Sequence, residues 1–372
     1  MQDQMPADFA DFADFGHELE LEDAELGPAE ARVLGGLLAT FPALTTLDLS
    51  ENSLGEEGGE AVADALRASA TLAELTLERS GLGHEGMGAM AAGVAHSTSL
   101  TKLELCGNEL GVEGGKAVAG ALRASSSLVE LGLCSCRLCG VWYRTAGGVR
   151  YQQGTHTAEA IVALADALRL NSSLTAIELR NNTLRLEGGK AIAEGLAASA
   201  SLTSANLLYN ELDPESARSL ATIAQEKGIS LCGIAAEDTE ADFSAQLNAP
   251  HDIILLTSDL AVRTALTELR VSANKLGDEG AVAIGAALAA NEAISLAALG
   301  LYDNKIGPDG AKALAAALPG RLSSLDLRRN AIGSEGEAAL REAVRHREGF
   351  ELRLEAGVFY GAEGRGAGGH DA

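Results

Sequence analysis

The sequence predicts an α/β solenoid, a horseshoe with parallel strands on its concave face and helices on its convex face. Three observations predict it. A 28-residue interval separates Leu49, Leu77, Leu105 and Leu133, and again Leu179 and Leu207. Within each interval the apolar pattern changes from alternation, the period of a strand, to the spacing of a helix. An asparagine follows the alternating stretch in copy after copy. A period of this size marks stacked supersecondary units, none of which can bury its apolar face alone.

Leu44-x-x-Leu47-x-Leu49 is expected to be a short strand with its leucines on one side. Leu54-Gly55 and Gly58-Gly59 turn the chain, and Ala61, Val62, Ala65 and Leu66 return along a helix that covers those leucines. Asn52 sits between strand and turn, where a buried amide must hydrogen-bond backbone groups of its own turn and its neighbour's. Asn108, Asn182, Asn210, Asn274, Asn304 and Asn330 fill the same slot, with Ser80 and Cys136 substituting in two copies. The copy at Leu100, Leu103, Leu105, Asn108, Leu110 and Gly111 matches the first almost residue for residue, and others start at Leu174, Leu202, Leu266, Leu296 and Leu322. Leu19, Leu21 and Leu26-Gly27 form a worn copy one period before Leu47 and Leu49.

This frame resembles the leucine-rich repeats of the ribonuclease inhibitor type. The same repeat class is seen in Ran GTPase-activating protein and in the sensor arrays of NOD-like receptors. The resemblance covers residues 16–355 and implies the horseshoe fold; with no catalytic set in the sequence, the expected function is a non-enzymatic scaffold that binds a protein partner and uses no cofactor. Its alternative implication is a GTPase-activating protein for a small GTPase of the Ran type, which would position its partner's own catalytic groups.

Composition agrees with a leucine and alanine core. The 372 residues are 47% hydrophobic but only 3% aromatic, so Leu, Ala and Val must carry the packing. Lys and Arg total 28 against 53 Asp and Glu, a formal charge of −25, which excludes nucleic acid and an anionic membrane as main partners because both would repel it. No apolar run reaches the roughly 18–20 residues of a membrane span. The chain carries ten acids before its first cation, Arg32, and no apolar signal core. Five cysteines form no disulfide framework, so a reducing compartment is expected, the cytoplasm first and the nucleus second. Nothing in the sequence sets an oligomeric state.

Residues 1–15, with Ala-Asp-Phe three times in succession, are expected to be an acidic flexible tail, and 356–372 a Gly-rich one. Two departures interrupt the repeats between them. From Leu133 to Leu179 the spacing is 46, which places an 18-residue insertion within 139–157 containing Trp142, the only tryptophan, with Tyr143 and Tyr151. That loop either offers aromatic contacts to a partner or folds back on its own array. From Leu207 to Val271 the spacing is 64. Residues 229–265 are read as a degenerate copy with a strand at Ile229–Ile234 and a helix at Asp252–Val262, and a discontinuity is expected near residue 235.

Residues between the strand leucines should face the hollow. One column reads Glu20, Asp48, Thr76, Glu104, Gly132, Glu178, Asn206, Arg270, Gly300 and Asp326; the other begins Glu18, Thr46, Glu74, Lys102 and Glu130. Glu20, Asp48, Glu74, Glu104, Glu130, Glu178 and Arg270 are therefore the candidate partner-binding residues, and the acidic start of the hollow suits a basic protein. The alternative is a solvated acidic stripe, tolerable because like charges one strand apart repel by only about 1 kcal/mol in water.

Other motifs dissolve into the repeat. Gly81-Leu82-Gly83-His84-Glu85-Gly86 satisfies G-x-G-x-x-G but occupies the turn slot of Ser53–Gly58. Gly115-Lys116 and Gly189-Lys190 lack the rest of a phosphate loop. Cys134-x-Cys136-x-x-Cys139 with His156 has the residue types of a zinc site but not the usual spacing, and thiols in these slots can pack as small hydrophobes, so no metal is assigned. No catalytic set is found.

Overall fold

A computed structural model describes residues 17–38, 41, 43–146, 149–248, 251–355 and 357–360. The Ala-Asp-Phe segment and residues 361–372 lie outside the described residues. The chain divides into two compact units, Met1–Leu202 and Thr203–Ala372.

In the first unit strands and helices alternate: β1 (Glu18–Glu20), α1 (Pro28–Leu38), β2 (Thr46–Asp48), α2 (Gly55–Ala68), β3 (Glu74–Thr76), α3 (Gly83–His96), β4 (Lys102–Glu104), α4 (Gly111–Ala124) and β5 (Glu130–Gly132). The hairpin β6 (Trp142–Ala146) and β7 (Val149–Gln153) intervenes before α5 (Glu159–Leu170), β8 (Ala176–Glu178) and α6 (Arg185–Ala198). Strands β1 to β5 and β8 are parallel and paired in that order, so β5 reaches β8 across the inserted hairpin. Each pairing joins equivalent residues, Leu47 to Leu75 to Leu103 to Leu131 to Ile177. These central side chains are at most 2% exposed.

The second unit contains β9 (Ser204–Asn206), α7 (Pro214–Lys227), β10 (Glu240–Asp242), α8 (His251–Leu260), β11 (Glu268–Arg270), α9 (Gly277–Ala290) and β12 (Ala298–Gly300). It ends with α10 (Pro308–Ala317), β13 (Ser324–Asp326), α11 (Gly333–Val344), β14 (Glu351–Leu354) and β15 (Gly357–Tyr360). Strands β10 to β14 are parallel. Gly357–Tyr360, which the sequence placed in a flexible tail, runs antiparallel to β14 and closes that edge.

The asparagine slot works as a clamp between repeats. Asn108 Nδ2 donates to the Leu105 carbonyl at 2.9 Å and, in the preceding copy, to Leu77 at 2.6 Å, while its Oδ1 accepts the Leu82 N–H at 3.1 Å. Asn52, Asn182, Asn274 and Asn330 repeat the pattern across successive turns. The Ser80 hydroxyl and the Cys136 thiol each donate to one carbonyl of the preceding copy. A second ladder, not foreseen, ends the helices: the Ser69, Ser97, Ser125 and Ser199 hydroxyls and the Asn171 amide oxygen accept the N–H of the leucine three residues on.

Neighbouring helices touch backbone to backbone. A methyl group on Gly59 would lie 2.2 Å from the Gly86 carbonyl oxygen, so α2 and α3 approach only because neither residue carries a side chain. This close layer leaves little room for rings, which accounts for the aromatic-poor composition.

The degenerate copy differs from expectation. Its strand is Glu240–Asp242, one period before β11, and Ile229–Ile234 is not a strand. Among the described residues this segment makes a single bridge, Ser230 to Ser204. It is held instead by a buried carboxylate: Asp259 of α8 accepts from Ser230 Oγ at 2.6 Å and from the N–H groups of Leu231 and Cys232 at 2.8 and 3.0 Å. Alternating hydrophobicity therefore marks a buried cap here, with polar partners supplied by a side chain.

Two expectations follow. Asn108→Ala strands three backbone groups and should cost about 2–4 kcal/mol in urea unfolding. Burial pushes the Asp259 carboxyl up to about 6 from 3.8. The folded chain thus holds this proton more tightly than the unfolded one, and the associated stability is lost as pH rises from 3.8 through about 6. Carbon-13 NMR should place the Asp259 midpoint near 6; a midpoint at or below the ordinary value would contradict this.

Candidate functional site

Parallel pairing between equivalent residues turns the two sequence columns into two rows of side chains across the first unit's strand face. One row runs Glu20, Asp48, Thr76, Glu104, Gly132, Glu178, and the other Glu18, Thr46, Glu74, Lys102, Glu130, Ala176. Glu18, Glu20, Glu74 and Glu130 are exposed, and Asp48, Glu104 and Glu178 are half-buried. Seven acids thus share these rows with one cation, Lys102, whose Nζ lies 3.9 Å from Glu104 and 3.7 Å from Glu130. Asp48 and Glu178 turn a carboxylate oxygen back to the N–H of Ser50 and Arg180, at 2.8 and 2.9 Å.

Glu104 stands apart. A methyl group on Gly132 would lie 1.6 Å from its Oε2, so the carboxylate lies where the next strand has no side chain. Burial there pushes the Glu104 carboxyl up to about 7; Lys102 opposes the shift, while Glu78, Glu178 and Glu130 reinforce it. Beside it, the Cys106 and Cys134 thiols hydrogen-bond to one another, which raises the first and lowers the second. The sequence shows these cysteines one period apart; what it hides is the carboxylate folded over Gly132 to meet them.

Arg270, the remaining residue of the predicted face, belongs to the second unit. Its guanidinium is 2.5 Å from Glu268 and 4.0 Å from Asp242. Arg328 and Arg353 likewise pair with Asp326 and Glu351, the acids two residues before them. These three arginines neutralise acids of the second unit's own strand face.

In the insertion, β6 and β7 pair antiparallel, Trp142 opposite Gln153 and Arg144 opposite Tyr151. Arg185 of α6 donates to the Tyr143 hydroxyl at 3.3 Å and to Gln152 Oε1 at 2.8 Å, and Arg137 lies 5.1 Å from the centre of the Trp142 ring. Tyr143 therefore serves contact with the chain's own array, whereas Trp142 and Tyr151 remain 40% and 50% exposed.

Cys134, Cys136, Cys139 and His156 are not gathered into one ligand set. The Cys136 thiol donates to the Leu105 carbonyl at 3.1 Å, a His156 ring nitrogen lies 3.1 Å from the Thr183 carbonyl oxygen, and burial pushes Cys139 up to about 12. Gly81 and Gly83 have the positive φ of the repeat turn, and Lys116 is engaged by Glu113 and Glu159 at 3.0 and 2.5 Å. Among the described residues no helix is long and apolar enough to cross a membrane.

A family model described as Leucine Rich repeat matches residues 42–63, 96–119, 170–193, 264–285, 295–315 and 322–340. No curated protein matches the sequence. Similar solved structures include leiomodin-1 actin-binding site 2, 18% identical over 31% of this chain and 69% of that one, with a TM-score of 0.30. Another is a tropomodulin C-terminal domain from Caenorhabditis elegans, 14% identical over 42% of this chain and 84% of that one, with a TM-score of 0.32. The six matched segments, the one-period strand register and the asparagine clamps agree, and the chain is a leucine-rich repeat protein.

Proposed function

We propose that this protein is a non-enzymatic interaction scaffold whose partner docks a basic surface on the strand face of the first unit. The observation that carries the reading is the ratio of seven acids to one lysine on two adjoining rows of a rigid parallel sheet. Such a surface attracts a cationic partner over a distance of about 8–10 Å at physiological salt and speeds encounter more than it adds affinity. Glu20, Asp48, Glu74, Glu104, Glu130 and Glu178 form the contact; Arg270 is left out because its own neighbours neutralise it. The exposed faces of Trp142 and Tyr151 offer a second contact, since rigid aromatic rings bind at low entropic cost. A reducing compartment, cytoplasmic or nuclear, suits the five free thiols.

The test compares the wild type with Glu20→Lys, Glu74→Lys and Glu130→Lys combined, three exposed positions whose reversal leaves the core intact. The variant should keep its circular dichroism and recover the wild-type partner about tenfold less well, with a weaker salt dependence. Equal recovery would overturn the acidic-face assignment. Adding the protein to a small GTPase of the Ran type should leave GTP hydrolysis unchanged; acceleration would favour the activator reading instead.

A further inference from the structure

The ends of three neighbouring strands bring together four side chains, of which only Glu104 also belongs to the docking face. The position following each second strand leucine reads Ser50, Glu78, Cys106 and Cys134 in successive repeats, so parallel register sets Glu78, Cys106 and Cys134 side by side. Glu104 precedes Cys106 by two residues and therefore shares its face. The carboxylate oxygens of Glu78 and Glu104 and the sulfur of Cys106 all lie within 4.8 Å of one another. Cys134 joins them through its thiol contact with Cys106 and through its N–H, which donates to Cys106 Sγ at 3.0 Å. Cys106 is only 6% exposed, so the sulfur forms the floor of the group and the carboxylates its rim.

We infer that Cys106, Cys134, Glu104 and Glu78 form a binding site for a thiophilic divalent cation of the zinc class. Two sulfurs and two carboxylate oxygens make a four-donor set of the kind zinc takes in tetrahedral sites, where metal–sulfur and metal–oxygen distances of about 2.3 and 2.0–2.2 Å hold donors under about 4 Å apart. Glu78, Glu104 and Cys106 already converge within 4.8 Å, and the Cys134 thiol, beside Cys106, would turn in as the fourth donor. Sulfur excludes calcium and magnesium, which select oxygen. Binding releases to solvent the two thiol protons, and that of Glu104 wherever it is protonated, and the cation offsets the repulsion between half-buried carboxylates.

Gly132 makes room for this arrangement, since the Glu104 carboxylate turns into the space that a side chain at that strand position would occupy. Among the described residues no other three His, Cys, Asp or Glu donors converge this closely. The site does not rest on the docking reading and needs no partner to be tested.

The experiment is a cobalt titration of the reduced, full-length protein in a non-thiol reductant, followed by absorbance. One equivalent of Co²⁺ should bind with sulfur-to-cobalt charge-transfer absorption and be displaced by Zn²⁺. Cys106→Ser and Cys134→Ser should lose that absorption, while Cys232→Ser, a thiol of the other unit, should keep it. Glu104→Gln, at a strand position that a neutral side chain also fits, should weaken binding on the order of tenfold or more and covers the case that a cysteine variant fails to fold. The inference is overturned if the wild type gives no saturable charge-transfer absorption, if Cys106→Ser and Cys134→Ser retain it, or if Glu104→Gln binds as tightly as the wild type.

Discussion

Each repeat depends on a buried amide that serves two copies at once. A three-residue strand makes too few ladder bonds to fix its neighbour, and the turn that follows leaves backbone groups facing the interior. One asparagine answers for both, donating to carbonyls of its own and the preceding copy and accepting from the preceding turn, as Asn108 and Asn182 do. An unpaired buried backbone group costs about 1–3 kcal/mol, so a frame shifted by one residue is penalised at every turn. The 28-residue period is the consequence, with leucines in the sheet and Gly–Ala contacts between helices following from it.

That register also creates the surfaces. Because equivalent residues pair, an acid at one strand position becomes a row when several copies carry it, and a cysteine repeated after one period becomes a pair of touching thiols. The two units use this differently. Acids dominate the first unit's rows, while the second interleaves arginines that neutralise its own acids. The positions that the frame leaves free, the face, the hairpin and the cluster around Gly132, are where the proposed contacts and cation site are placed.

Much of this was legible in the sequence. Strand placement, the asparagine slot and the column order follow from periodicity, because each is a local pattern repeated at a constant interval. What escaped involved partners distant in sequence. Ile229–Ile234 alternates like a strand, and only the placement of Asp259, 29 residues beyond Ser230, shows it to be a cap. Gly357–Tyr360 looked like the start of a glycine tail because nothing local marks pairing with β14. The tether from Arg185 to Tyr143 spans 42 residues, beyond the reach of any local pattern. The Glu104–Gly132 contact was hidden for the opposite reason: an absent side chain leaves no pattern.

The central claim is that the buried amides join successive repeats, and amide hydrogen exchange by NMR tests it most directly. The N–H groups of Leu26, Leu82, Leu138 and Leu247 lie in turns outside any regular ladder, and each donates to the asparagine of the following copy. The account predicts that they exchange as slowly as the N–H groups of the central strand leucines. Exchange at the rate of exposed loops would contradict it.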